Sequence, residues 1–509
     1  MKDQKILAVN IPADGLFLAI WEKAGGDLSP ENCKRLIREY MDRFLEAKPD
    51  ILFLNVNYRR ALTPSQVFDS YLYNVQTDEN GYALRDEKGE TVKTLSPTTQ
   101  GVSKYFSAFV HCARPLLEQG IDLYKILTDY LQSKDCKVYL SVRVNDGHYT
   151  DDPAINSAFA MKNGGAHTIE KDGVNLDFSQ EAVQNHIYSY IEELLQTYKV
   201  DGIEMDWLRF PTVLPEQSRE NKNILTDYMH RIRGLLDRVD PALGLAVRLY
   251  PEEERNLRNG VDVCRWIAEG CTQILTIENF YVPTNFEMPV AAWRQRIADR
   301  NPQKREYTLL CGSDWAVSCR PGYHIPMNPA LVRGFTRECL DRGADGVYLF
   351  NFFEEDAYSS REMSPEGLKP CFSQRLLAAR QPEELPRRWV HIGATSRRYP
   401  ITLAPGDSYE FTTELKKPYG MPRLIVGVSE ETALQVTAGD TVLFAEKEPV
   451  LPGYEYGGGV KGGEFVYAVT EVAPAVYTAV LPQADEITIA IKNKSQHTAE
   501  LLWLEIHCQ

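Results

Sequence analysis

The most informative part of this chain is the fourth strand of a repeating β/α pattern, which reads Val200-Asp201-Gly202-Ile203-Glu204-Met205-Asp206-Trp207-Leu208-Arg209-Phe210-Pro211. Successive side chains of a strand point to opposite faces, which places Gly202, Glu204 and Asp206 together on one face. On the inner face of a barrel these carboxylates would be buried, and burial of an ionised group is costly unless it is paired or hydrogen-bonded. The segment therefore predicts a barrel strand with chemistry at its C-terminal end.

Seven more strand-like runs occur along the chain, and amphipathic helical stretches separate nearly all of them. The eight predicted strands are Ile6 to Asn10, Ile51 to Asn57, Lys137 to Asn145, Gly202 to Trp207, Gly244 to Tyr250, Gln273 to Asn279, Tyr307 to Gly312 and Gly346 to Asn351. Eight β/α units predict a (β/α)8 TIM barrel, and a doubly wound open sheet is the structural alternative.

The pattern changes near Trp389, after which short alternating strands are separated by Gly, Pro and Asp turns. We therefore expect the barrel in residues 1–385 and an antiparallel β-sandwich in residues 386–509. The segments that follow strands two and three, residues 58–112 and 146–177, are too long to be plain connections. They predict a turn at residues 78–81 and a small hairpin or lid over the barrel mouth.

Composition excludes several classes of partner. Lys and Arg number 56 against 71 Asp and Glu, and the net charge of −15 opposes binding to nucleic acid or to an anionic membrane. The N-terminal residues lack a secretory pattern and no run of 18 apolar residues occurs, so we expect a cytoplasmic protein without a membrane span. The ten cysteines and nine histidines show no zinc-ligand spacing, which predicts free thiols, no metal and no cofactor.

Two carboxylates at strand ends are the candidate catalytic residues. Asp206 ends strand four and Glu278 ends strand six, so they would face each other from alternate strands. Glycoside hydrolysis needs two carboxyl groups across the scissile bond, one as proton donor and one as nucleophile or base. Asp314 and Glu204 are rival partners for Asp206.

Polar side chains at the other strand ends are candidate substrate-binding residues, because amides, charges and aromatic faces suit ligands rich in hydroxyl groups. This set comprises Asn55, Asn57, Arg143, Asn145, Asp146, His148, Glu204, Arg248, Asn279, Asp314, Trp315 and Asn351. A purely structural interpretation is that Glu204 and Asp206 neutralise Arg143, Arg209 or Arg248. We expect this of Glu204 more than of Asp206, which lies nearer the mouth.

Several segments carry a resemblance to a known superfamily. Asp201-Gly202-Ile203-x-x-Asp206, followed by Pro211, resembles the strand-four motif of bacterial glycosyl-hydrolase-like barrels. The segments 53–58, 143–148 and 261–266 are similar to a largely uncharacterised group of glycosidase-like proteins in that superfamily. The motif also resembles that of the chitinases, but Leu208 stands where their acid glutamate would be, which disfavours chitinase chemistry.

The sequence therefore predicts a glycoside hydrolase acting on a carbohydrate substrate, with Asp206 as nucleophile or base and Glu278 as proton donor. Arg143 and Arg248 would clamp a carboxylate if the sugar is anionic. One alternative is a carbohydrate-binding protein on a degenerate barrel, expected if the two carboxyl groups lie far more than ~10 Å apart. Another is a metal-dependent hydrolase using Asp146, His148 and Asp206, and homo-oligomerisation is left open. An Asp206 locked to an arginine beyond a ligand's reach would contradict the enzymatic interpretation.

Overall fold

The computed structural model describes residues 5–98, 110, 113–171, 173–279, 284–314, 316–320, 323–350, 371–391, 400–415, 420–447, 459–461, 464–466 and 473–509. Eight parallel strands form a closed barrel in the order β1-β2-β5-β6-β7-β8-β9-β12. These strands are β1 Ile6–Ile11, β2 Ile51–Asn55, β5 Lys137–Arg143, β6 Gly202–Asp206, β7 Gly244–Leu249, β8 Ile274–Ile277, β9 Thr308–Ser313 and β12 Gly346–Leu349. The predicted TIM barrel is thereby confirmed, and the open-sheet alternative is excluded.

Helices follow the strands, as the repeating pattern predicts. They are α1 Ala13–Ala24, α2 Pro30–Leu45, α3 Leu123–Leu131, α4 Ala158–Gly165, α5 Glu181–Thr197, α6 Asn223–Val239, α7 Glu253–Arg258, α8 Val263–Ala268, α9 Val290–Arg300, α10 Pro329–Asp341 and α11 Cys371–Arg380. Helix α2 shows why these segments are helical, because Ser29 caps it by accepting a hydrogen bond from the Asn32 amide and Pro30 occupies its first turn. Its buried residues recur at helical spacing and form the face that packs inward.

The strand register arranges part of the barrel interior in layers. Tyr139 of β5 pairs with Gly202 of β6, which pairs with Gly244 of β7. A Cβ atom on Gly202 would come within 2.4 Å of the Tyr139 ring, and one on Gly244 within 2.1 Å of its hydroxyl. The two glycines therefore make room for one aromatic ring at this level. Polar side chains fill the levels nearer the C-terminal strand ends.

The two long loops have structure of their own. Strands β3 Tyr73–Val75 and β4 Lys93–Leu95 form an antiparallel hairpin in the first loop. Buried Arg60 holds that loop by donating to the Ser70 carbonyl at 2.9 Å and to the Pro153 carbonyl of the second loop at 2.9 Å. The predicted turn at 78–81 is present, since Asp78 Oδ1 accepts from the Asn80 amide. The second loop contains α4 and a single antiparallel bridge between Thr168 and Leu176.

The C-terminal region forms the predicted antiparallel sheets. One has the order β13-β24-β16-β22-β19, with β14 also paired to β24, and the other has the order β15-β23-β17-β18. Their strands are β13 Arg387–Val390, β14 Ile401–Leu403, β15 Ser408–Glu414, β16 Pro422–Val428, β17 Leu434–Ala438, β18 Thr441–Leu443, β19 Ala445–Lys447, β22 Ala475–Val480, β23 Glu486–Asn493 and β24 Ala499–Cys508. A further sheet contains β10 Ala316–Arg320, β11 Tyr323–Pro326, β20 Gly459–Lys461 and β21 Glu464–Val466. On β23, Ile487, Ile489 and Ile491 alternate with more exposed residues, so one face of the sheet is the buried one.

The chain divides into two compact units, of which one comprises Ala8–Glu278 and Ala291–Leu310 and the other the remaining residues. The expected boundary at residue 385 stays a prediction. The cysteines whose side chains the structure describes are free thiols, as expected. None of the described helices has the length and apolar character needed to cross a membrane.

A buried aromatic stack joins the two long loops to α5. The His186 ring lies 3.9 Å from the Phe159 ring and 4.5 Å from the Phe68 ring, both in stacked geometry. Burial lowers the pKa of His186 to about 3. The unfolded chain therefore binds a proton near pH 6.5 that the folded protein does not bind, so stability is lost as the pH falls below that value.

We expect His186→Phe to flatten this dependence, because phenylalanine preserves the stack and carries no titratable group. As the pH falls from about 6 to about 4, the free energy of unfolding of the wild type should fall faster than that of His186→Phe. The difference in slope should reach up to about 1.4 kcal/mol per pH unit. Urea unfolding across this range measures the difference. His497→Gln, at an exposed histidine, is the matched control and should leave the slope unchanged. Equal slopes for wild type and His186→Phe would contradict the prediction.

Candidate active site

Two adjacent layers of polar side chains occupy strands β5 to β7 near their C-terminal ends. In the upper layer Arg143 pairs in register with Asp206, and Asp206 with Arg248. One step lower, Ser141 pairs in register with Glu204. Residues in register on parallel strands point to the same side, so these side chains meet in the interior, as the alternation along β6 predicts.

Arg248 lies between the two predicted catalytic carboxylates. Its Nη1 donates to Asp206 Oδ2 at 2.7 Å, and its Nε donates to Glu278 Oε2 at 2.9 Å. Its Nη2 approaches Glu278 Oε1 at 3.4 Å, so the contact to Glu278 uses one edge of the guanidinium. The three residues are each 1% exposed. Strands four and six therefore do bring Asp206 and Glu278 together, but with a cation between them.

The spacing of these carboxylates follows from their shared partner. Because both contact one planar guanidinium, their nearest oxygens lie within about 8 Å of each other. That is inside the ~10 Å limit beyond which a two-carboxylate hydrolase would be unworkable. The distance criterion that would have favoured a degenerate barrel is not met, but Asp206 is paired with a buried arginine, which is the kind of contact that counts against an enzyme.

In this arrangement both carboxylates act as hydrogen-bond acceptors. The Asp206 Oδ1 atom accepts from the Leu208 amide at 3.1 Å, while its Oδ2 accepts from Arg248. Both oxygens of Glu278 accept from Arg248. Acceptor-only carboxylates are suited to the role of base or nucleophile, and a proton donor must have a proton to give.

Glu204 lies in the lower layer and is completely buried. Its Oε1 accepts from the Ser141 hydroxyl at 2.7 Å. Asp206 forms an ion pair with Arg248, although we expected such a pairing less of Asp206 than of Glu204. The reason is register, since Asp206 and not Glu204 is the neighbour of Arg248 on β7.

A second charged cluster lies on the segment that follows β5. Arg143 Nη1 donates to Asp146 Oδ2 at 2.8 Å, and Asp146 Oδ1 lies 2.6 Å from His148 Nδ1. Burial acts to raise the pKa of Asp146, but His148 and Arg143 outweigh it and lower that pKa. Arg143 also lies over the Tyr58 ring, 4.4 Å from its centroid. The His148 side chain is 26% exposed, which makes it the solvent-facing member of the cluster.

The predicted amide ligands differ in how far the protein already uses them. Asn57 donates to the Arg143 carbonyl at 2.9 Å and accepts from the Arg143 amide at 3.0 Å, so it braces the end of β5. Asn145 accepts from the Leu176 amide at 3.0 Å and donates to the Thr212 carbonyl at 3.1 Å, which ties together the segments after β5 and β6. The Oδ1 atom of Asn55 is buried and accepts no hydrogen bond from any described group. Of the three amides, Asn55 is the one with an acceptor to offer.

The remaining predicted residues lie at the ends of later strands. Asn279 directly follows Glu278, and Asp314 follows β9; both are buried. Trp315 and Asn351 lie outside the described residues, so their assignment as ligands stays a prediction.

The backbone next to this site carries features that residue types alone did not reveal. Tyr149 and Phe210 have positive φ values of 51° and 47°, which is uncommon for side chains of this size. A Cβ atom on Gly147 would come within 2.5 Å of the Phe210 ring, so the close approach of the two segments requires glycine. The Phe210 ring in turn meets the His148 ring edge-on at 5.1 Å. Such strained positions tend to cluster at functional sites.

Taken together, the closed parallel barrel and the charged strand ends define a (β/α)8-barrel protein. No protein-family model and no curated protein sequence matches the chain.

Solved structures with a similar fold include the endo-β-1,4-mannanase from Thermotoga petrophila, at 12% identity over 99% of this chain and 98% of that chain, with a TM-score of 0.44. The glycoside hydrolase domain of PgaB (BpsB) from Bordetella bronchiseptica shares 12% identity over 70% of this chain and 96% of that chain, with a TM-score of 0.41. An α-L-fucosidase from Paenibacillus thiaminolyticus shares 10% identity over 75% of this chain and 50% of that chain, with a TM-score of 0.40.

We expect Arg248→Met to lower the free energy of unfolding by about 3–5 kcal/mol at neutral pH, because it leaves two buried carboxylates without their shared cation. Urea unfolding measures this loss. The control is Arg35→Met, which breaks the exposed Arg35–Glu39 pair and should cost less than about 0.5 kcal/mol. Adding Asp206→Asn and Glu278→Gln to Arg248→Met should restore part of the stability. A loss similar to that of Arg35→Met would show that the buried charges are not coupled as described.

Proposed function

We propose that the chain is a glycoside hydrolase whose chemistry takes place where strands β5 to β8 end. The observation that carries the proposal is the pair of carboxylates, Asp206 and Glu278, held within about 8 Å of each other through Arg248. A core built for stability alone would fill this level with apolar side chains, which are often as stabilising as a buried ion pair or more so. The resemblance of the segment from Asp201 to Pro211 to glycosyl-hydrolase-like barrels supports the same activity.

Within this proposal Asp206 is the nucleophile or base. Its Oδ1 is fixed by the backbone amides of Leu208 and Arg209, so its orientation is set by β6 and the turn after it. A carboxylate positioned by fixed backbone donors needs little reorganisation when it reacts. The other oxygen, Oδ2, contacts Arg248 and would face the reacting carbon once that guanidinium turns aside.

The role of Glu278 as proton donor requires a second arrangement of the same groups. While both Glu278 oxygens accept from Arg248, this carboxyl has no proton to give. Turning the guanidinium toward Asp206, or toward a substrate hydroxyl, would free one Glu278 oxygen to be protonated. Glu204 and Asp314 are the alternative donors, and Glu204 lies one layer below Asp206 with a hydrogen bond from Ser141.

The sugar-binding assignments can be ranked by the contacts already made. Asn55 and His148 have the strongest case, because one has a buried acceptor without a described partner and the other is partly exposed. Arg143 and Arg248 both pair with carboxylates of the protein, so a clamp on an anionic sugar would compete with those pairs. We therefore favour a neutral sugar that is bound through its hydroxyl groups.

A carbohydrate-binding protein without turnover is the second candidate, and one observation favours it. Arg248 occupies the space between the carboxylates, where a glycosidic oxygen would have to lie, and Asp206 is only 1% exposed. If the guanidinium never leaves, the barrel could hold a glycan at its mouth without cleaving it.

We expect Asp206→Asn to reduce turnover of the cleaved glycoside by about a thousand-fold or more while the protein still folds and still binds the substrate. A panel of chromogenic glycosides identifies the substrate and measures the rate, and calorimetry measures binding to the variant. Asp129→Asn, which alters an exposed acid paired with Lys125, is the matched control and should keep full activity.

The two candidates separate in the same experiment. Wild-type protein that retains glycans on an array but cleaves none of them would support the binding protein. Turnover that persists in both Asp206→Asn and Glu278→Gln would overturn the assignment of this carboxylate pair.

A further inference from the structure

Three side chains with metal-ligand atoms meet at the opposite end of the barrel strands from Asp206. His230 lies on α6, Glu269 is the residue that ends α8, and Cys271 precedes β8. Each side chain offers one ligand atom, and these three atoms all lie within 4.8 Å of one another. We propose that His230, Glu269 and Cys271 bind a borderline-soft divalent cation, with Zn²⁺ as the preferred ion. This inference goes beyond the proposed hydrolase activity and does not depend on it.

The three residues already form a hydrogen-bonded chain. Cys271 Sγ lies 3.3 Å from His230 Nδ1, and His230 Nε2 lies 2.6 Å from Glu269 Oε2. A thiol that donates to Nδ1 leaves the imidazole proton on Nε2, where it is donated to the carboxylate. This is the tautomer in which Nδ1 has a lone pair for a metal.

The gap between sulfur and nitrogen has the size that zinc requires. With Zn–S and Zn–N bonds of ~2.3 and ~2.0 Å at a tetrahedral angle, the two ligand atoms lie about 3.5 Å apart. The observed separation is 3.3 Å, so the ion can replace the thiol proton with a movement of a few tenths of an ångström. Glu269 supplies the third ligand when its Oε2 leaves His230 Nε2, now 2.6 Å away, and turns toward the ion, while its Oε1 stays hydrogen-bonded to Arg265 Nε at 2.7 Å.

Access and flexibility also suit an exchangeable ion. The Cys271 side chain is buried, whereas the His230 side chain is 47% and that of Glu269 33% exposed. Glu269 and Arg265 also line an open groove on this surface. The buried sulfur is thus the fixed ligand, and the two exposed side chains can close over the metal.

Charge determines how the site responds to pH. Burial, reinforced by the negative charge of Glu269, raises the pKa of the Cys271 thiol to about 12, while Arg233, Arg265 and Arg305 act to lower it. Burial acts to raise the pKa of Glu269, but hydrogen bonds from Arg265 and His230 outweigh it. Zinc is bound by the thiolate form of cysteine, so forming the S–Zn bond releases the thiol proton to solvent, and affinity should fall as the pH falls.

No sequence motif indicates this site, because the ligands are far apart along the chain. His230 precedes Glu269 by 39 residues and Cys271 by 41. The barrel brings them together by placing the C-terminal end of α8 beside α6 at the start of β8. A bound ion would cross-link these elements, and this end of a TIM barrel is the one generally associated with stability rather than catalysis.

The test uses the full chain after treatment with a chelator. Zn²⁺ is titrated against a chromophoric competitor, Co²⁺ is added as a spectroscopic probe, and Mg²⁺ serves as a hard-ion control. We expect one Zn²⁺ per chain, release of about one proton at neutral pH, and a rise in melting temperature. Co²⁺ should produce a thiolate-to-metal absorption band, and Mg²⁺ should not compete.

Variants then assign the ligands. Cys271→Ser should abolish the thiolate band, and His230→Gln or Glu269→Gln should weaken Zn²⁺ binding at least about ten-fold. The last two changes are at partly exposed positions, so they remain informative if Cys271→Ser fails to fold. Cys136→Ser is the matched control, a thiol that precedes β5 as Cys271 precedes β8. Absence of Zn²⁺ binding in wild type, or binding that is unchanged in all three ligand variants, would overturn the proposal.

Discussion

Charge compensation inside a closed barrel is the constraint on which the site of this protein depends. Arg248 can be buried because two carboxylates, Asp206 and Glu278, accept its hydrogen bonds, and they can be buried because Arg248 is there. The same logic continues through Arg143 at the end of β5 and through Asp146 and His148 on the segment that follows. In a medium of low dielectric constant a half-satisfied network is worse than an apolar core, so such residues have to be kept or replaced as a group. This is why the strand ends carry a connected set of charges and not scattered ones.

A second buried ion pair in the C-terminal sheets shows what such a pair does without a functional setting. Arg388 on β13 pairs with Glu505 on β24, through Nη2 to Oε2 at 2.8 Å and a second contact from Nε. Trp503 Nε1 also donates to Glu505 Oε2, at 2.9 Å. This ion pair joins two neighbouring antiparallel strands of the sheet. Asp206 is held by the same kind of buried ion pair as Glu505. It differs in its position, because it lies at the end of a barrel strand, where ligands of this fold bind.

The sequence predicted the fold well and the contacts of the site only in part. Strand alternation from Gly202 to Trp207 depends on local geometry, so the inward direction of Glu204 and Asp206 could be predicted from one segment. Which arginine meets which carboxylate depends on the register of strands that are far apart along the chain, so the ion pair between Asp206 and Arg248, 42 residues apart, could not be predicted from one segment. Hydrogen bonds from side chains to the backbone could not be predicted from the sequence either. Asn57 and Asn145 look like ligands by residue type, yet they brace carbonyl and amide groups of distant segments. The cluster of His230, Glu269 and Cys271 had no signal at all, since no spacing along the chain connects it.

The arrangement around Arg248 also bears on how a site can be both stable and reactive. A guanidinium that satisfies Asp206 and Glu278 at once stabilises the two carboxylates in the same ionised state, whereas acid–base chemistry needs them in different states. A sugar hydroxyl that accepts from Arg248 would break this symmetry, because the guanidinium can retain only part of its contacts while it donates to the ligand. The carboxylate that keeps the contact stays ionised, and the one that loses it becomes the easier of the two to protonate. Substrate binding and the separation of acid from base would then be one event, next to the strained backbone at Tyr149 and Phe210.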